Sequence, residues 1–420
     1  MSGGGWAKMR PRLVLSDLVS ATSAEPTSPH ASRGVGRRPR LLYICDWLPP
    51  DFGAVGQYAE LHARRCAESG MDVVLGGLSS RGTSQTTERY TDGSLKVTKL
   101  FAKPYRKDEF IRRLWWTFVT NTRLCLSLWR DMSRADEIMF TGSPPLILHW
   151  IAPLNVILRK RLRYRITDFH PECLMAACAR PAFALDMIYR LTLFWRRRVD
   201  TFEVLGDDQR RRLEDIKISP ERIRLVRDPS PVSIPPGTAS LPRPAEHAGK
   251  VLLLYSGNWG VAHDYQTFVE GYRRHHEQGS GRIVLWLNAV GGGAQKVEEC
   301  LNTLGLPLVR GAPVDLADLA NLLVTPDAHL ITLSNPFVGF VLPSKVHGCV
   351  LSGKPIMFIG SVRSDVHALC RARGDRHYWQ VDVGDAEACA AALEQLAETA
   401  GSSIGETACD PAVSRQRSAQ

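Results

Sequence analysis

Short apolar runs bounded by turn residues recur along the whole chain. In the first half they fall at Leu41–Cys45, Asp72–Leu78, Leu95–Leu100, Asp136–Phe140, Tyr164–Thr167, Thr201–Leu205 and Ile223–Val226. In the second they fall at Val251–Tyr255, Ile283–Leu287, Ala328–Leu333 and Ile356–Ile359. Runs such as Ala328–Leu333 do not alternate with polar residues, which is how strands covered on both faces of a parallel sheet read. Between the runs the period lengthens to that of a helix. Ala59, Ala63, Cys66 and Ala67 share one face, and Asp108–Arg130 reads as one long helix with Ile111, Trp115, Phe118 and Trp129 near one face. Ile188, Leu191 and Trp195 face inward on a helix that ends in Arg196–Arg198. Ser344–Leu351 reads as a short helix stopped by Gly353, and Asp385–Thr399 as an Ala-rich amphipathic one. The alternation predicts an α/β protein with two Rossmann-like domains facing across a cleft. Composition sets the boundaries: a disordered tail over 1–38, a first domain over 39–235 and a linker over 236–249, inside the Pro- and Ser-rich stretch Asp228–Gly249. A second domain follows over 250–400, then a disordered tail over 401–420.

In open α/β sheets ligands sit over the carboxyl ends of the strands. Ser344 and Lys345 fall there, after a Gly- and Pro-rich loop that contains Gly339. Backbone N–H groups, a hydroxyl and an ammonium converging on one spot make an anion site, and the expected anion is a phosphate. The plainer alternative is a solvated lysine beside a helix cap. A second loop upstream favours the phosphate: Ser256-Gly257-Asn258-Trp259-Gly260 joins a strand to a helix starting near His263-Asp264, which lets backbone approach a pyrophosphate. In the first half, Gly53 and Gly56 sit in a turn-rich loop between strand and helix. Their spacing is not the dinucleotide fingerprint, so NAD and FAD are not expected. Asp168, His170 and Glu172 gather three ionisable groups at the end of the Tyr164–Thr167 strand, a candidate catalytic edge.

Charge sharpens the picture. The net +10 is uneven: 39 Lys and Arg against 26 Asp and Glu in residues 1–249 give +13, and 14 against 17 in residues 250–420 give −3. The basic first half fits an anionic partner. Basic clusters at Arg159–Arg165, Arg196–Arg198 and Arg210–Arg212, with Trp115, Trp116 and Trp129 on one predicted helix, fit an anionic membrane surface, the plainer alternative being a solvated basic surface on a soluble enzyme with the tryptophans packed in its core. The most apolar stretch, Leu146–Leu158, is too short to span a bilayer and contains Pro153. No basic–aromatic ladder or common binding motif points to nucleic acid. Ten cysteines without metal spacing suit a reducing cytoplasm, and no apolar signal core opens the chain.

The segments YSGNWGVAHDYQTF (Tyr255–Phe268), VGGGAQK (Val290–Lys296) and LITLSNPFVGFVLPSKVHGCVLSGKPIMFIG (Leu330–Gly360) together resemble the donor half of GT-B glycosyltransferases. The match is most specific to the retaining family 4 enzymes of bacterial surface polysaccharides, in a subgroup with PSK-x-x-G. ICDWLPPDFGAVGQYA (Ile44–Ala59) and ITDFHPE (Ile166–Glu172) fit the same family, so the resemblance runs from Arg40 to Leu396.

The resemblance implies a nucleotide-sugar donor on the second domain, held by Ser256, Gly257, Asn258, Gly260, His263, Asp264, Gly339, Ser344 and Lys345. It implies an acceptor near Gly53, Gly56 and Glu172, with Asp168 and His170 joining Lys345 at the reaction centre. The chemical demand is charge on a departing diphosphate, which such enzymes meet without a metal or any cofactor beyond the nucleotide sugar itself. The sequence departs from the pattern at three points. A pair of glutamates common in the family falls on Phe340 and Gly348, the histidine usual before Asp168 is Thr167, and the Arg and Lys usual in the first phosphate loop are absent.

Three readings follow. The first is a retaining glycosyltransferase acting on a lipid-linked or growing-glycan acceptor, peripheral on the cytoplasmic face of a membrane. The second is an epimerase-like sugar-nucleotide enzyme, and the third a non-catalytic binding protein. The charge asymmetry and the Trp-rich helix favour the first over the second, and the retained loops with Lys345 favour it over the third.

Overall fold

The computed structural model describes residues 37–407 apart from 52–53, 104–109, 179–182, 229, 231, 244–246, 248, 313 and 375–376. Residues 1–36 of the expected N-terminal tail, and Gly53, lie outside the described residues. The first half runs β1 (Arg40–Trp47), α1 (Ala54–Glu68), β2 (Asp72–Ser79), β3 (Ser84–Arg89), β4 (Ser94–Phe101), α2 (Phe110–Ser127) and α3 (Trp129–Arg134). It continues with β5 (Glu137–Thr141), α4 (Leu148–Leu158), β6 (Arg161–Ile166), α5 (Glu172–Ala176), α6 (Phe183–Arg196), β7 (Thr201–Val204), α7 (Asp207–Asp215) and β8 (Ile223–Leu225). These strands form one sheet in the order β3-β4-β2-β1-β5-β6-β7-β8, parallel except for β3. The winding reverses at β1. Right-handed crossovers therefore put α1 on one face and α2, α3, α4, α6 and α7 on the other. The buried clusters divide in the same way. Ala59, Ala63 and Cys66 pack with Leu41 and Tyr43, whereas Leu124, Met132, Ile151 and Leu213 pack with Leu42 and Ile44.

The second half runs β9 (Val251–Asn258), α8 (Gln266–Gln278), β10 (Ile283–Val290), α9 (Gly292–Thr303), β11 (Leu308–Arg310), α10 (Leu319–Val324) and β12 (Ala328–Thr332). It ends with α11 (Lys345–Leu351), β13 (Ile356–Ile359), α12 (Asp365–Arg371), β14 (Tyr378–Val381) and α13 (Ala386–Thr407). Its sheet, β11-β10-β9-β12-β13-β14, is parallel throughout. Every residue of β12 and β13 is buried, as their unbroken apolar runs require.

Several elements differ from expectation. β3 reads SQTTER and lies exposed at the sheet edge, so no apolar run announces it. β11 and β14 have only three and four residues. The helix expected over Asp108–Arg130 is two: Leu128 leaves helical geometry (φ −98°, ψ 5°) and α3 resumes at Trp129. The last helix runs past the expected boundary at 400 to Thr407, through Gly401, Ser402 and Ser403, which are weak helix formers.

The halves touch through a short seam. Phe169 N donates to Phe340 O (3.0 Å), and Asp168 pairs with Val341 as an antiparallel bridge. The carboxyl ends of both sheets border a cleft beside it.

Candidate functional site

The cleft encloses about 760 Å³ and takes its walls from both halves. On the second-half side the corner is set by β9, β12 and the start of α11. Lys345 leaves the first turn of α11 and carries its Nζ 3.3 Å above the centre of the Tyr255 ring. Tyr255 is itself stacked on buried Trp259 (3.7 Å between centroids), so the shelf under the ammonium is rigid. The Nζ atom is buried and has no hydrogen-bond partner among the described residues. Burial pushes its pKa down from 10.5 to about 7. Cys349, one turn on, gives no counter-charge, because burial holds its thiol up at about 12. The Ser344 hydroxyl beside it is exposed and is not spent on a helix cap.

His263 stands at right angles to Tyr255, and its Nδ1 lies 2.6 Å from Thr332 O. A carbonyl only accepts, so Nδ1 carries the proton and Nε2 is left as an acceptor. Burial first, and then the Lys345 charge, holds this histidine neutral with a pKa of about 3. Gly257 turns the chain at φ +104°, a left-handed conformation that L side chains rarely adopt, and its Cβ position faces open space. Ser256 and Asn258 flank it on the cleft wall.

On the first-half side Asp168 lines the cleft, and burial raises its carboxyl to about 6. Asp46, at the end of β1, is raised to about 7, by burial and to a lesser degree by the Asp168 charge. Asp46 does not border the cleft, and a single Asp at a strand end carries no spacing that marks it in sequence. Arg165 does line the cleft and is held by Glu203 (2.8 Å) and Asp228 (2.5 Å). An arginine inside the apolar run RYRIT was the available signal.

Other expected site residues lie elsewhere. Glu172, expected near the acceptor, is buried and clamped by the fully buried Arg196, whose Nη2 donates to Glu172 Oε2 (2.9 Å) and His170 O (3.1 Å). Neither His170 nor Glu172 borders the cleft. Gly56 is glycine because a Cβ would press on Trp47 O at 1.8 Å where α1 crosses the end of β1, a packing reason. Gly260 is off the cleft wall, and Asp264 accepts from Thr267 N (3.1 Å) at the start of α8, as a cap does. Gly339 belongs to the seam between halves, where a Cβ would meet Asp208 O at 3.0 Å. The cleft thus brings together Asp168, Ser256, Gly257, Asn258, His263, Ser344 and Lys345.

Of the two positions at which the resemblance expects glutamates, Phe340 is packed off the cleft wall and Gly348 lines it. Phe340 lies under the Arg212 guanidinium (4.7 Å) and against Phe169 (6.0 Å). A Cβ on Gly348 would meet Leu323 Cδ1 at 2.9 Å. Polar groups on the remaining wall come from Asn288 and Asp315.

No protein-family model matches the chain, and no curated protein sequence matches it. Solved structures do. An E. coli trehalose-6-phosphate structure bound with UDP-2-fluoro glucose superposes with a TM-score of 0.58 at 14% identity, covering 88% of this chain and 95% of that one. Anabaena HepE in complex with UDP gives 0.52 at 12%, covering 88% and 99%. WaaG, a glycosyltransferase involved in lipopolysaccharide biosynthesis, gives 0.51 at 14%, covering 88% and 94%. At such identities the likeness establishes the fold: two parallel-sheet bodies arranged as in the GT-B glycosyltransferases.

Proposed function

We propose that the chain is a retaining glycosyltransferase. It moves a hexosyl or N-acetylhexosaminyl unit from a nucleotide sugar to a lipid-linked or growing-glycan acceptor in surface-polysaccharide synthesis, lipopolysaccharide included. The observation that carries this reading is the Lys345 ammonium, buried at the cleft corner over an aromatic shelf with no partner among the described residues. A diphosphate there restores the charge that burial removes, and Ser344 and Ser256 stand beside it as donors.

In the reaction the bond from the anomeric carbon to the diphosphate oxygen breaks and leaves its electron pair on the diphosphate. The acceptor hydroxyl oxygen forms the new bond on the same face, and its proton goes to the departing diphosphate oxygen. Lys345 stabilises the charge that grows on that oxygen, and fixed donors in a water-poor site do so without reorganising. Asp168, with a pKa of about 6, is mostly ionised at neutral pH and accepts from a hydroxyl of the reacting sugar or the acceptor. The scheme uses no metal and no cofactor beyond the donor. The donor half, at −3, faces the cytoplasm, and the protein sits peripherally on the inner face of the membrane.

A thermal-shift panel of UDP-, GDP- and TDP-sugars tests the reading. The cognate donor at a hundred times its Kd adds about 2.7 kcal/mol of stability. HepE and the trehalose-6-phosphate neighbour carry UDP or a UDP-sugar, so uridine nucleotides come first. Transfer to an extracted lipid-linked acceptor, with the anomeric configuration kept, is the expected outcome. No shift with any donor would overturn the reading, and an epimerised donor formed without acceptor would replace it.

A further inference from the structure

Two helices of the first half carry apolar residues on their outward faces as well as on their buried ones. α2 buries Thr117, Thr120, Asn121, Leu124 and Cys125, yet leaves Trp115 68%, Phe118 52% and Leu126 70% exposed along one stripe. α6 buries Leu185, Thr192 and Arg196 and exposes Phe183 (80%), Met187, Leu191 and Phe194 at steps of three and four. Three of the buried polar side chains are hydrogen-bonded. Asn121 Nδ2 donates to Pro145 O (3.0 Å), Thr192 Oγ1 meets His149 Nε2 (3.0 Å), and Arg196 holds Glu172. α4 lies between the two helices, tied to α2 by Trp150 Nε1 donating to Thr122 Oγ1 (2.9 Å) and to α6 by the His149 contact. It adds Ile157, 74% exposed. All three helices cover the same face of the sheet, so their outward stripes face one way. Soluble monomers rarely expose contiguous apolar surface on this scale.

Charge at the rim chooses the occupant. Exposed Arg123 and Arg130 flank α2 and α3, while Arg159, Arg197 and Arg198 stand at the ends of α4 and α6. The Arg198 guanidinium lies 4.1 Å over the Phe194 ring. Part of the basic clusters read from the sequence is internal: Arg163, Arg165 and Arg196 are locked in ion pairs. What remains outside is an aromatic face with an arginine rim, the arrangement that rests in a lipid interface. No helix among the described residues is long and apolar enough to cross a membrane.

We propose that the outward faces of α2, α4 and α6 form a docking surface for an anionic lipid bilayer. The inference deepens the glycosyltransferase reading and rests on it only for the nature of the acceptor. α2 comes close to the cleft side of the first half, for its Trp116 stacks on Trp47 at the end of β1 (6.2 Å), just before Pro49 and Pro50 of the cleft wall. A lipid-linked acceptor held in the bilayer would therefore reach the cleft with its glycan end.

Vesicle flotation with the full chain tests this. The protein is expected to float with phosphatidylglycerol-containing vesicles and not with pure phosphatidylcholine, and added salt should weaken the binding. Phe118→Ser combined with Phe183→Ser should lower partitioning at least tenfold, since each ring gives up an apolar burial. Arg197→Gln and Arg198→Gln should each lower it about fivefold. Circular dichroism and the donor-induced thermal shift should not change in these variants, so failure here is distinguishable from failure of the donor site. A protein that stays soluble with anionic vesicles at low salt overturns the proposal. So does a Phe118→Ser/Phe183→Ser variant that floats like wild type. A dimer that dissociates on Phe118→Ser, with no vesicle binding, would assign the face to a second copy instead.

Discussion

Lys345 holds its ammonium against an aromatic face without a carboxylate beside it, and this has a measurable cost in the unliganded protein. The unfolded chain keeps the lysine proton up to pH 10.5, the folded one only to about 7. Between those values the unfolded state binds more protons, so this group makes stability rise with pH. Below pH 7 both states are protonated, and the whole cost of the buried charge is felt. Lys345→Met is expected to be more stable than wild type at pH 6.5, with the gap closing as pH approaches 10.5, in urea titrations across that range. A gap independent of pH would mean that the ammonium is solvated. Asp168 poses a different question, because it lines the cleft from the first half. Asp168→Asn is expected to lower turnover more than it lowers donor affinity. Equal loss of both, read from steady-state rates and calorimetric Kd, would make the residue structural.

The loop-to-helix elements differ in how much they tell from sequence. β9, β12 and β13 are legible because each holds an unbroken apolar run, and the cleft loops that follow β9 and β12 are legible because they end such runs. The 168–172 segment was not. Asp168, His170 and Glu172 look equivalent in sequence, but the chain turns so that only Asp168 faces the cleft. Glu172 instead meets Arg196, 24 residues away, an ion pair that no local spacing reveals. The Arg165–Glu203–Asp228 group was hidden for the same reason, since its members come from β6, β7 and the segment after β8. Glu172→Gln is expected to destabilise the first half by about 3–5 kcal/mol in denaturant unfolding, because it leaves the Arg196 charge buried and short of a partner. Turnover per folded molecule should hold. Lost turnover with unchanged stability would return Glu172 to the acceptor site.

At the scale of the whole molecule the two sheets are fastened by reciprocal caps. Asp365 accepts from Asp207 N (2.6 Å) at the start of α7, and Asp208 accepts from Asp365 N (3.1 Å) at the start of α12. Gly206 permits the approach, for a Cβ there would lie 2.2 Å from Asp365 Oδ2. With Phe340 packed beneath Arg212, these contacts hold the halves so that Asp168 of the first and Lys345 of the second line one cleft. The proposed function puts a diphosphate on Lys345, and calorimetry at pH 8 tests it most directly. The free ammonium, with a pKa of about 7, is mostly neutral there, and a bound diphosphate must draw a proton onto it. Titrating the cognate nucleoside diphosphate in two buffers of different ionisation enthalpy should show proton uptake approaching one per site, absent in Lys345→Ala. Binding without proton uptake, or with the same uptake in the alanine variant, would contradict the assignment of Lys345 to the diphosphate.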